Sequence, residues 1–316
     1  MKANQKNKQY GFLSESARIF PPMVFLEITN VCNLRCTHCP YTYIASRPGY
    51  MPKYMSWGIF KKVIDEISMY KTIVRFVCDG EPLLHPDLFR MMGYVKLYTQ
   101  SPVCINTNGT LLNIKTSKFL LRYADVVEIS IDAFLRETYE KIRIGSDFER
   151  VVSATLNLVR LRNRLNADTK IMVSFVDQKD NRKEKKKFFT YWSQQVDRVI
   201  IRPYTTIGNL VDTDKITFKK PRKRWPCPLL WTRLFINTDG FAKFCVEDWH
   251  DKTILYDVGK MKIRDIWNAP KYEGIRRIHI KREFRKIPYC RNCVDWPVRN
   301  WSYDYFYALK RLGVSR

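Results

Sequence analysis

The chain has 316 residues, of which 45% are hydrophobic and 14% are aromatic. This composition provides enough apolar material for a packed core and excludes a wholly disordered chain. Lysine and arginine number 56 against 31 aspartate and glutamate residues, so the net charge is +25. Such an excess favours an anionic partner: nucleic acid, a phosphorylated substrate, an acidic redox protein or a membrane surface.

Residues 1–20 are predicted to be a polar tail, and they lack the apolar core of a signal peptide. No apolar run approaches the roughly 18 residues that a membrane-spanning helix needs. We therefore expect a cytoplasmic protein whose thiols stay reduced. Nine cysteines in that setting favour metal ligation over disulfides.

Apolar, β-branched runs alternate with segments of helical periodicity from residue 23 to residue 204. The predicted strands are residues 23–28, 72–77, 101–106, 125–131, 170–176 and 198–204. This alternation predicts an α/β fold with parallel strands, either a barrel or an open sheet. In both architectures, ligands bind where the carboxyl ends of the strands meet the loops.

Three cysteines follow the first strand with the spacing C-x3-C-x2-C: Cys32, Cys36 and Cys39. Cysteine thiolates on such a loop can bind an iron–sulfur cluster, and three of them leave one iron of a 4Fe-4S cluster open. A structural zinc site normally has four ligands, so a zinc site completed by His38 or by a distant group is the alternative.

This cysteine loop, together with Gly-Glu-Pro at residues 80–82 after the second strand, resembles the radical S-adenosylmethionine (SAM) superfamily. The resemblance implies a partial (β/α)6 TIM barrel, which we place at residues 21–216. It also implies that the open iron binds SAM. One electron then cleaves SAM to a 5′-deoxyadenosyl radical that abstracts hydrogen from a substrate.

The resemblance further implies which side chains lie around SAM. We expect the following residues to bind it: His38, Gly80, Glu81, Pro82, Asn108, Ser130 and Arg143. Among them, His38 would pack near the adenine, Glu81 would meet the methionine ammonium, and Arg143 would hold a carboxylate. Asp132 points towards the same mouth of the barrel and is a candidate catalytic residue.

Four further cysteines lie downstream: Cys227, Cys245, Cys290 and Cys293. The segment before Cys245 predicts a hairpin that turns at Asp239 and Gly240. Taken alone, four thiolates suit zinc or a 4Fe-4S cluster. The pattern C-x12-G-x4-C followed by C-x2-C resembles the SPASM extension of radical SAM enzymes in its shorter, twitch-like form. The resemblance implies one auxiliary 4Fe-4S cluster.

We expect this small iron–sulfur domain to occupy residues 217–316 and to end in an aromatic helix at residues 300–313. Asp248, close after Cys245, is a second candidate catalytic residue. The resemblance implies a flavodoxin or ferredoxin as electron donor.

The expected reaction is oxidation, dehydrogenation or cross-linking of an anionic substrate, either a phosphorylated or nucleotide-linked sugar or a peptide. The tail at residues 1–20 is too short for a peptide-leader recognition domain. Two alternatives involve nucleic acid, which the pattern does not favour: a radical SAM enzyme that modifies RNA, and a zinc-stabilised RNA-binding protein.

Overall fold

Strands and helices alternate along most of the chain. The computed structural model describes residues 11–77, 79–299 and 309–314. The strands are β1 Met23–Leu26, β2 Arg35–Cys36, β3 Ile73–Phe76, β4 Val103–Thr107, β5 Val126–Ser130, β6 Arg143–Ile144, β7 Lys170–Asp177, β8 Arg198–Pro203, β9 Leu234–Ile236, β10 Phe241–Lys243 and β11 Ile254–Asp257. The helices are α1 Glu15–Ile19, α2 Tyr41–Ile44, α3 Trp57–Ile67, α4 Leu88–Tyr98, α5 Ile114–Tyr123, α6 Arg136–Ile142, α7 Phe148–Arg164, α8 Lys185–Trp192, α9 Leu229–Thr232, α10 Ile263–Trp267, α11 Pro270–Ile280 and α12 Pro288–Arg291.

Six parallel strands form the centre of the molecule, in the order β1, β3, β4, β5, β7 and β8. They correspond to the six predicted runs, and the predicted α/β partial barrel is confirmed. β9 pairs in parallel with the other side of β1, and β10 and β11 continue the sheet in antiparallel fashion. The predicted hairpin is present, and Gly240 at its turn has a φ of +85°. The C-terminal cysteine region therefore extends the barrel sheet.

The outer helices form where the sequence combines a capping residue with an apolar stripe. The Ser56 hydroxyl accepts a hydrogen bond from the Ile59 amide at 3.3 Å and starts α3. α3 then buries Phe60, Val63 and Ile64, which lie three or four residues apart on one face.

Alternate residues of the parallel strands face the interior of the barrel. Towards the amino ends of the strands these residues are apolar, and together with Leu309 they form one buried cluster: Met23, Phe25, Ile73, Cys104, Val126, Met172, Ile200 and Phe235. Above this cluster the interior becomes polar, with Arg75, Asn106 and Glu128. The change from apolar to polar separates a packed floor from the space in which ligands can bind.

Glu128 lies at the centre of this polar level. Its carboxylate accepts a hydrogen bond from Arg75 Nη2 at 3.1 Å and a bidentate pair from Arg202. Burial alone would raise the pKa of Glu128, but Arg202 and Arg75 outweigh it and lower the pKa to about 2. The carboxylate therefore stays ionised at neutral pH and links β3, β5 and β8 across the barrel.

The loop that carries the first three cysteines is held against the sheet by backbone contacts. Gly80 presses on the preceding segment so closely that a Cβ there would lie 2.4 Å from the Thr29 oxygen and 2.6 Å from the Val31 oxygen. The Glu81 amide donates to the Val31 oxygen at 2.8 Å. On its other side, the loop forms strand β2, which pairs with β6.

Two expectations concern the chain ends, and the structure bears on the first of them. Within the predicted tail, α1 is a helix that begins at the Ser14 cap, and the Trp267 indole donates to the Ala17 carbonyl at 2.9 Å. The tail expectation is therefore wrong for this helix. Most of the predicted aromatic helix, residues 300–308, lies outside the described residues. Within the described part, no helix combines the length and apolar character needed to cross a membrane.

Replacing Glu128 with Gln should lower the free energy of unfolding by about 3 kcal/mol at pH 7, because the buried Arg75 and the half-buried Arg202 lose their counter-charge. Since folding lowers the pKa of Glu128, its contribution is complete above pH 4.5 and is lost as the pH falls towards 2. The difference in the free energy of unfolding between the wild-type protein and the Glu128→Gln variant should therefore become smaller as the pH falls from 4.5 towards 2. Urea unfolding measures both effects. Glu283→Gln, which removes an exposed pair with Lys286, should change nothing measurable, and equal effects of the two variants would contradict the prediction.

Replacing Gly80 with Ala should cost about 1–3 kcal/mol, because the new methyl group meets backbone oxygens that cannot rotate away. The cysteine loop must shift, so we also expect less iron bound per chain. Thermal unfolding and iron analysis measure the two effects. Gly274→Ala is the matched control, since this helical glycine has open space around it and alanine is the better helix former. A Gly80 variant as stable and as iron-rich as this control would refute the steric argument.

Candidate active site and metal centres

The first three cysteines are brought together by a tight turn. The Cys39 amide donates to the Cys36 carbonyl at 3.1 Å, and Cys36 lies opposite Arg143 in the β2–β6 pair. Burial raises the pKa of Cys36 to about 11 and raises that of Cys39 further, and each feels the charge of the neighbouring thiolates. The three thiols therefore lie near enough to one another for their charges to interact. An electron-poor metal centre would stabilise their thiolate forms.

Glu81 holds two loops of the site together. Its carboxylate accepts hydrogen bonds from the Leu83 amide at 3.1 Å, the Thr107 hydroxyl at 2.8 Å and the Asn108 amide at 2.7 Å. Asn108 in turn points its side-chain amide towards Cys32 Sγ, at 3.9 Å. The sequence predicted Glu81 and Asn108 as SAM contacts, and the structure places Glu81 between the Gly-Glu-Pro loop and the end of β4.

Asp132 holds Arg143 beside the cysteines. Its backbone has a φ of +53°, and its carboxylate accepts from the Val176 amide at 2.7 Å and from Arg143 Nη2 at 2.5 Å. Arg143 Nη1 lies 3.9 Å from Cys36 Sγ. His38 approaches the same carboxylate at 3.5 Å. Four of the predicted site residues therefore form one connected group.

Buried polar atoms without partners lie in this group. Among the described residues, none lies within hydrogen-bonding distance of His38 Nδ1 or Arg143 Nε. Burial lowers the pKa of His38 to about 4, so its ring is neutral at physiological pH. Ser130 lines the same space, 3.5 Å from the Ser174 hydroxyl. A ligand with polar atoms would satisfy these groups.

A cavity of about 430 Å³ opens above the polar level of the barrel. Its wall includes predicted site residues of the barrel: His38, Cys39, Ser130, Asp132 and Arg143. It also includes residues from the C-terminal region: Pro228, Leu229, Arg233, Val246, Glu247, Trp249, Val298 and Arg299. One space thus touches both cysteine regions.

A buried acidic pair, which the sequence did not reveal as a site, lies beside this cavity. Asp79 lines the cavity, and its side chain bonds that of Glu27. Burial raises the pKa of Asp79 to about 7, although the Lys243 charge partly opposes it. Asp79 stands in the predicted loop, but its link to Glu27 and Lys243 depends on β1 and β10 being close in space.

The four C-terminal cysteines also converge. Burial raises the pKa of Cys245 well above its usual range, and the charges of Cys290, Cys227 and Cys293 raise it further. Asp295 fixes the segment that follows by accepting from the Thr206 amide at 2.7 Å. In the described part of the chain, no three His, Cys, Asp or Glu side chains lie close enough to hold a single metal ion. The thiols of a 4Fe-4S cluster bind separate iron atoms and need a wider spacing.

The second candidate catalytic residue, Asp248, has a different position from the one expected. It is fully buried, and its carboxylate accepts from the backbone amides of His250 and Thr253. Its carbonyl accepts from Lys243 Nζ at 2.8 Å. Asp248 is not part of the cavity wall, whereas its neighbour Glu247 is and pairs there with Arg299.

Two family models match the chain. The model of the Radical SAM superfamily matches residues 26–175, and the model of an iron–sulfur cluster-binding domain, SPASM, matches residues 227–294. The first match contains the three-cysteine loop and the strands that carry the site. The second contains all four C-terminal cysteines.

Among curated proteins, an uncharacterized protein of Treponema pallidum is 20% identical over 83% of this chain and 77% of its own length. The mycofactocin maturase MftC of Mycobacterium tuberculosis is 30% identical over 42% of this chain. An AdoMet-dependent heme synthase of Methanosarcina barkeri is 32% identical over 42%. The matches span only 33% and 38% of these last two proteins.

Solved structures share the fold at low identity. BtrN in complex with AdoMet and 2-DOIA has a TM-score of 0.61 and 18% identity, covering 90% of this chain and 97% of that one. Streptococcus suis SuiB bound to the precursor peptide SuiA has a TM-score of 0.65 and 15% identity, covering 82% and 67%. Native anSMEcpe with bound AdoMet has a TM-score of 0.63 and 16% identity, covering 86% and 88%.

The residues present fit the cofactors of this family. Each cysteine region supplies thiols whose charges interact, and thiolates are the usual ligands of iron–sulfur clusters. The unpartnered atoms of His38 and Arg143 lie beside the first set, where a polar cofactor would meet them. The chain belongs to the radical SAM superfamily and carries a C-terminal SPASM-type iron–sulfur domain, and its cofactors are SAM, a SAM-binding 4Fe-4S cluster and an auxiliary iron–sulfur cluster.

Proposed function

We propose that this protein is a radical SAM enzyme that oxidises an anionic substrate held between its two iron–sulfur sites. The cavity carries the proposal. Its wall includes Cys39 of the first cysteine loop as well as Pro228 and Val246, the immediate neighbours of Cys227 and Cys245. A substrate in this space can face both sites at once.

The two cysteine sets have different roles in this proposal. We assign the SAM-binding cluster to the loop thiols: Cys32, Cys36 and Cys39. We assign an auxiliary 4Fe-4S cluster to the C-terminal thiols: Cys227, Cys245, Cys290 and Cys293. When bound and reduced, the first cluster together with SAM supplies a 5′-deoxyadenosyl radical that abstracts hydrogen from the substrate.

Arg143 is the main side chain that we assign to SAM itself. Its guanidinium is fixed by Asp132 and keeps a buried Nε without a partner among the described residues, which suits the SAM carboxylate. The neutral His38 ring provides a flat surface next to it. Asp132 is thus a positioning residue in this proposal, and Asp248 stabilises the loop after Cys245.

After the hydrogen atom has been abstracted, complete oxidation requires the substrate radical to lose one electron and one proton. The auxiliary cluster would accept the electron, and Asp79 is the side chain that we assign to accept the proton. Asp79 lines the cavity, and burial raises its pKa to about 7. An acceptor with a pKa near the working pH is efficient. The positive charge of Lys243 and the hydrogen bond with Glu27 both lower the pKa of Asp79 and so oppose part of the effect of burial.

Two kinds of observation support a substrate class: the net charge of the chain and the ligands named for similar proteins. The net charge of +25 favours an anion. The maturase and the SuiB complex with its precursor peptide support a peptide, and the BtrN complex with 2-DOIA supports a small molecule. We propose a small anionic molecule, because six arginines line a cavity of only about 430 Å³.

The reaction needs one electron from outside the protein. We propose that a flavodoxin or ferredoxin delivers it, since the basic chain would attract an acidic protein. A cytoplasmic location is part of the same proposal, because cysteine ligands must stay reduced to bind iron.

Replacing Cys32, Cys36 and Cys39 together with Ala should abolish reductive cleavage of SAM and remove about half of the iron, because only the auxiliary cluster would remain. Replacing Cys290 and Cys293 should remove the other half while cleavage of SAM continues without product. Iron analysis of anaerobically reconstituted protein and detection of 5′-deoxyadenosine measure both outcomes. The matched control is Cys104→Ala, since this thiol lies in the barrel floor. Cleavage that survives loss of the loop thiols would reject the assignment.

Replacing Asp132 with Asn should weaken SAM binding roughly tenfold or more, because Arg143 loses the charged partner that orients it. Calorimetric titration of the reconstituted protein with SAM measures the affinity. Asp65→Asn, at an exposed pair with Lys61, should bind SAM normally. If the Asp132 variant retains its iron and binds SAM as tightly as this control, Arg143 does not depend on Asp132.

A further inference from the structure

Helix α11 has a polar face that contacts the C-terminal cysteine region. Along the chain, this helix lies between the second and the third of the four C-terminal cysteines. Tyr272, Arg276 and His279 follow one another at spacings of four and three residues, so their side chains lie on one face of the helix. All three side chains are buried. The Cys227 amide donates a hydrogen bond to His279 Nδ1 at 3.2 Å, which joins this face to the first of the four cysteines.

The ring of His279 carries a buried donor near Cys227. Burial lowers the pKa of His279 to about 3, so the ring is neutral and carries a single N–H group. Since Nδ1 accepts from the Cys227 amide, this proton lies on Nε2. Among the described residues, none offers a partner within hydrogen-bonding distance of Nε2. The helix thus holds the backbone of Cys227 by one nitrogen of the ring and keeps a donor on the other.

Tyr272 provides a second buried donor on the same face. Its side chain is fully buried, and no described group lies within hydrogen-bonding distance of its hydroxyl. Burial raises the pKa of Tyr272, Arg276 opposes part of this effect, and the negative charges of Cys227 and Cys245 raise the pKa further. The hydroxyl therefore keeps its proton at neutral pH. It also lies near enough to both cysteines for their charges to act on it.

Arg276 cannot accept the proton of this hydroxyl. Its guanidinium lies 4.0 Å from the centroid of the Tyr272 ring, but an arginine side chain has donors only. Its Nε donates to the Leu230 carbonyl at 2.9 Å, and its Nη1 donates to the Trp267 carbonyl at 2.7 Å. A buried hydroxyl without an acceptor costs about 1–3 kcal/mol. A sulfur atom at the neighbouring cysteines would be an acceptor that removes this cost.

We propose that the Tyr272 hydroxyl donates a hydrogen bond to a sulfur atom of the auxiliary cluster and thereby raises the reduction potential of that cluster. Hydrogen bonds to the sulfur atoms help to set this potential, because they stabilise the more negative, reduced state. A higher potential favours the transfer of one electron from the substrate radical, which is oxidised, to the cluster, which is reduced. The inference rests on the proposed function, which assigns an auxiliary 4Fe-4S cluster to the four C-terminal cysteines.

The test is a redox titration of the anaerobically reconstituted holoprotein, followed by electron paramagnetic resonance. Addition of SAM changes the signal of the cluster that binds it, which distinguishes the two clusters. Tyr272→Phe removes only the hydroxyl. This variant should disfavour reduction of the auxiliary cluster roughly tenfold, which lowers the potential of a one-electron couple by about 59 mV. The potential of the SAM-binding cluster and the iron content should not change.

The matched control is Tyr98→Phe, since this tyrosine is exposed on α4 and both potentials should equal those of the wild-type protein. An auxiliary potential that is the same in Tyr272→Phe and in the control overturns the inference. An equal shift of both clusters also overturns it, because a general change of the protein would then explain the result. Loss of the auxiliary signal in Tyr272→Phe would show that the hydroxyl is needed for the structure of the site, and it overturns the inference as well.

Detection of 5′-deoxyadenosine in the same samples separates the inference from the proposed function. If the wild-type protein cleaves SAM while Tyr272→Phe leaves the auxiliary potential unchanged, the role of Tyr272 is wrong and the proposed function stands. If the auxiliary potential shifts as expected but the wild-type protein does not cleave SAM, the proposed function fails and the role of Tyr272 stands.

Discussion

The buried charge of Glu128 makes the polar interior of this barrel possible. Arginines inside a protein are costly unless their charge is paired and hydrogen-bonded. Glu128 pairs with Arg75 and Arg202 at once, and their combined charge outweighs the effect of burial on its own pKa. Below this level the interior is filled by apolar side chains. Above it lies the cavity, and the charged side chains in the cavity wall suit a polar ligand.

Much of the fold follows from local sequence patterns, but the continuation of the sheet beyond β1 by β9, β10 and β11 does not. Six runs of β-branched residues predicted the parallel strands correctly, because such strands are buried on both sides and are continuously apolar. The hairpin that contains β9 was predicted, but the pairing of this three-residue strand with β1 depends on contacts between distant parts of the chain. Helix α1 was missed for a similar reason, since its contact with Trp267 spans most of the chain.

The sequence predicted the positions of the site loops correctly, but it did not predict which contacts their side chains make. The cysteine spacing and the Gly-Glu-Pro loop lie where expected, yet Glu81 binds the loop after β4, and Asp248 binds its own backbone. Both contacts depend on the folded positions of the loops, which the spacing of residues along the sequence does not reveal. The arginines of the cavity other than Arg143 were also missed. Arg202 occurs in an ordinary strand pattern, and only the closure of the barrel shows that its side of β8 faces inwards.

Strand β1 connects the two halves of the proposed reaction. It pairs with β3, which leads to the Gly-Glu-Pro loop, and with β9, which leads to the auxiliary cysteines. One sheet therefore sets the distance between the two cysteine regions, and Gly80 fixes the first of them by direct backbone contact. A framework of this kind serves any substrate that must face both sites. Substrate choice then falls to the side chains that line the cavity, which in this chain include six arginines.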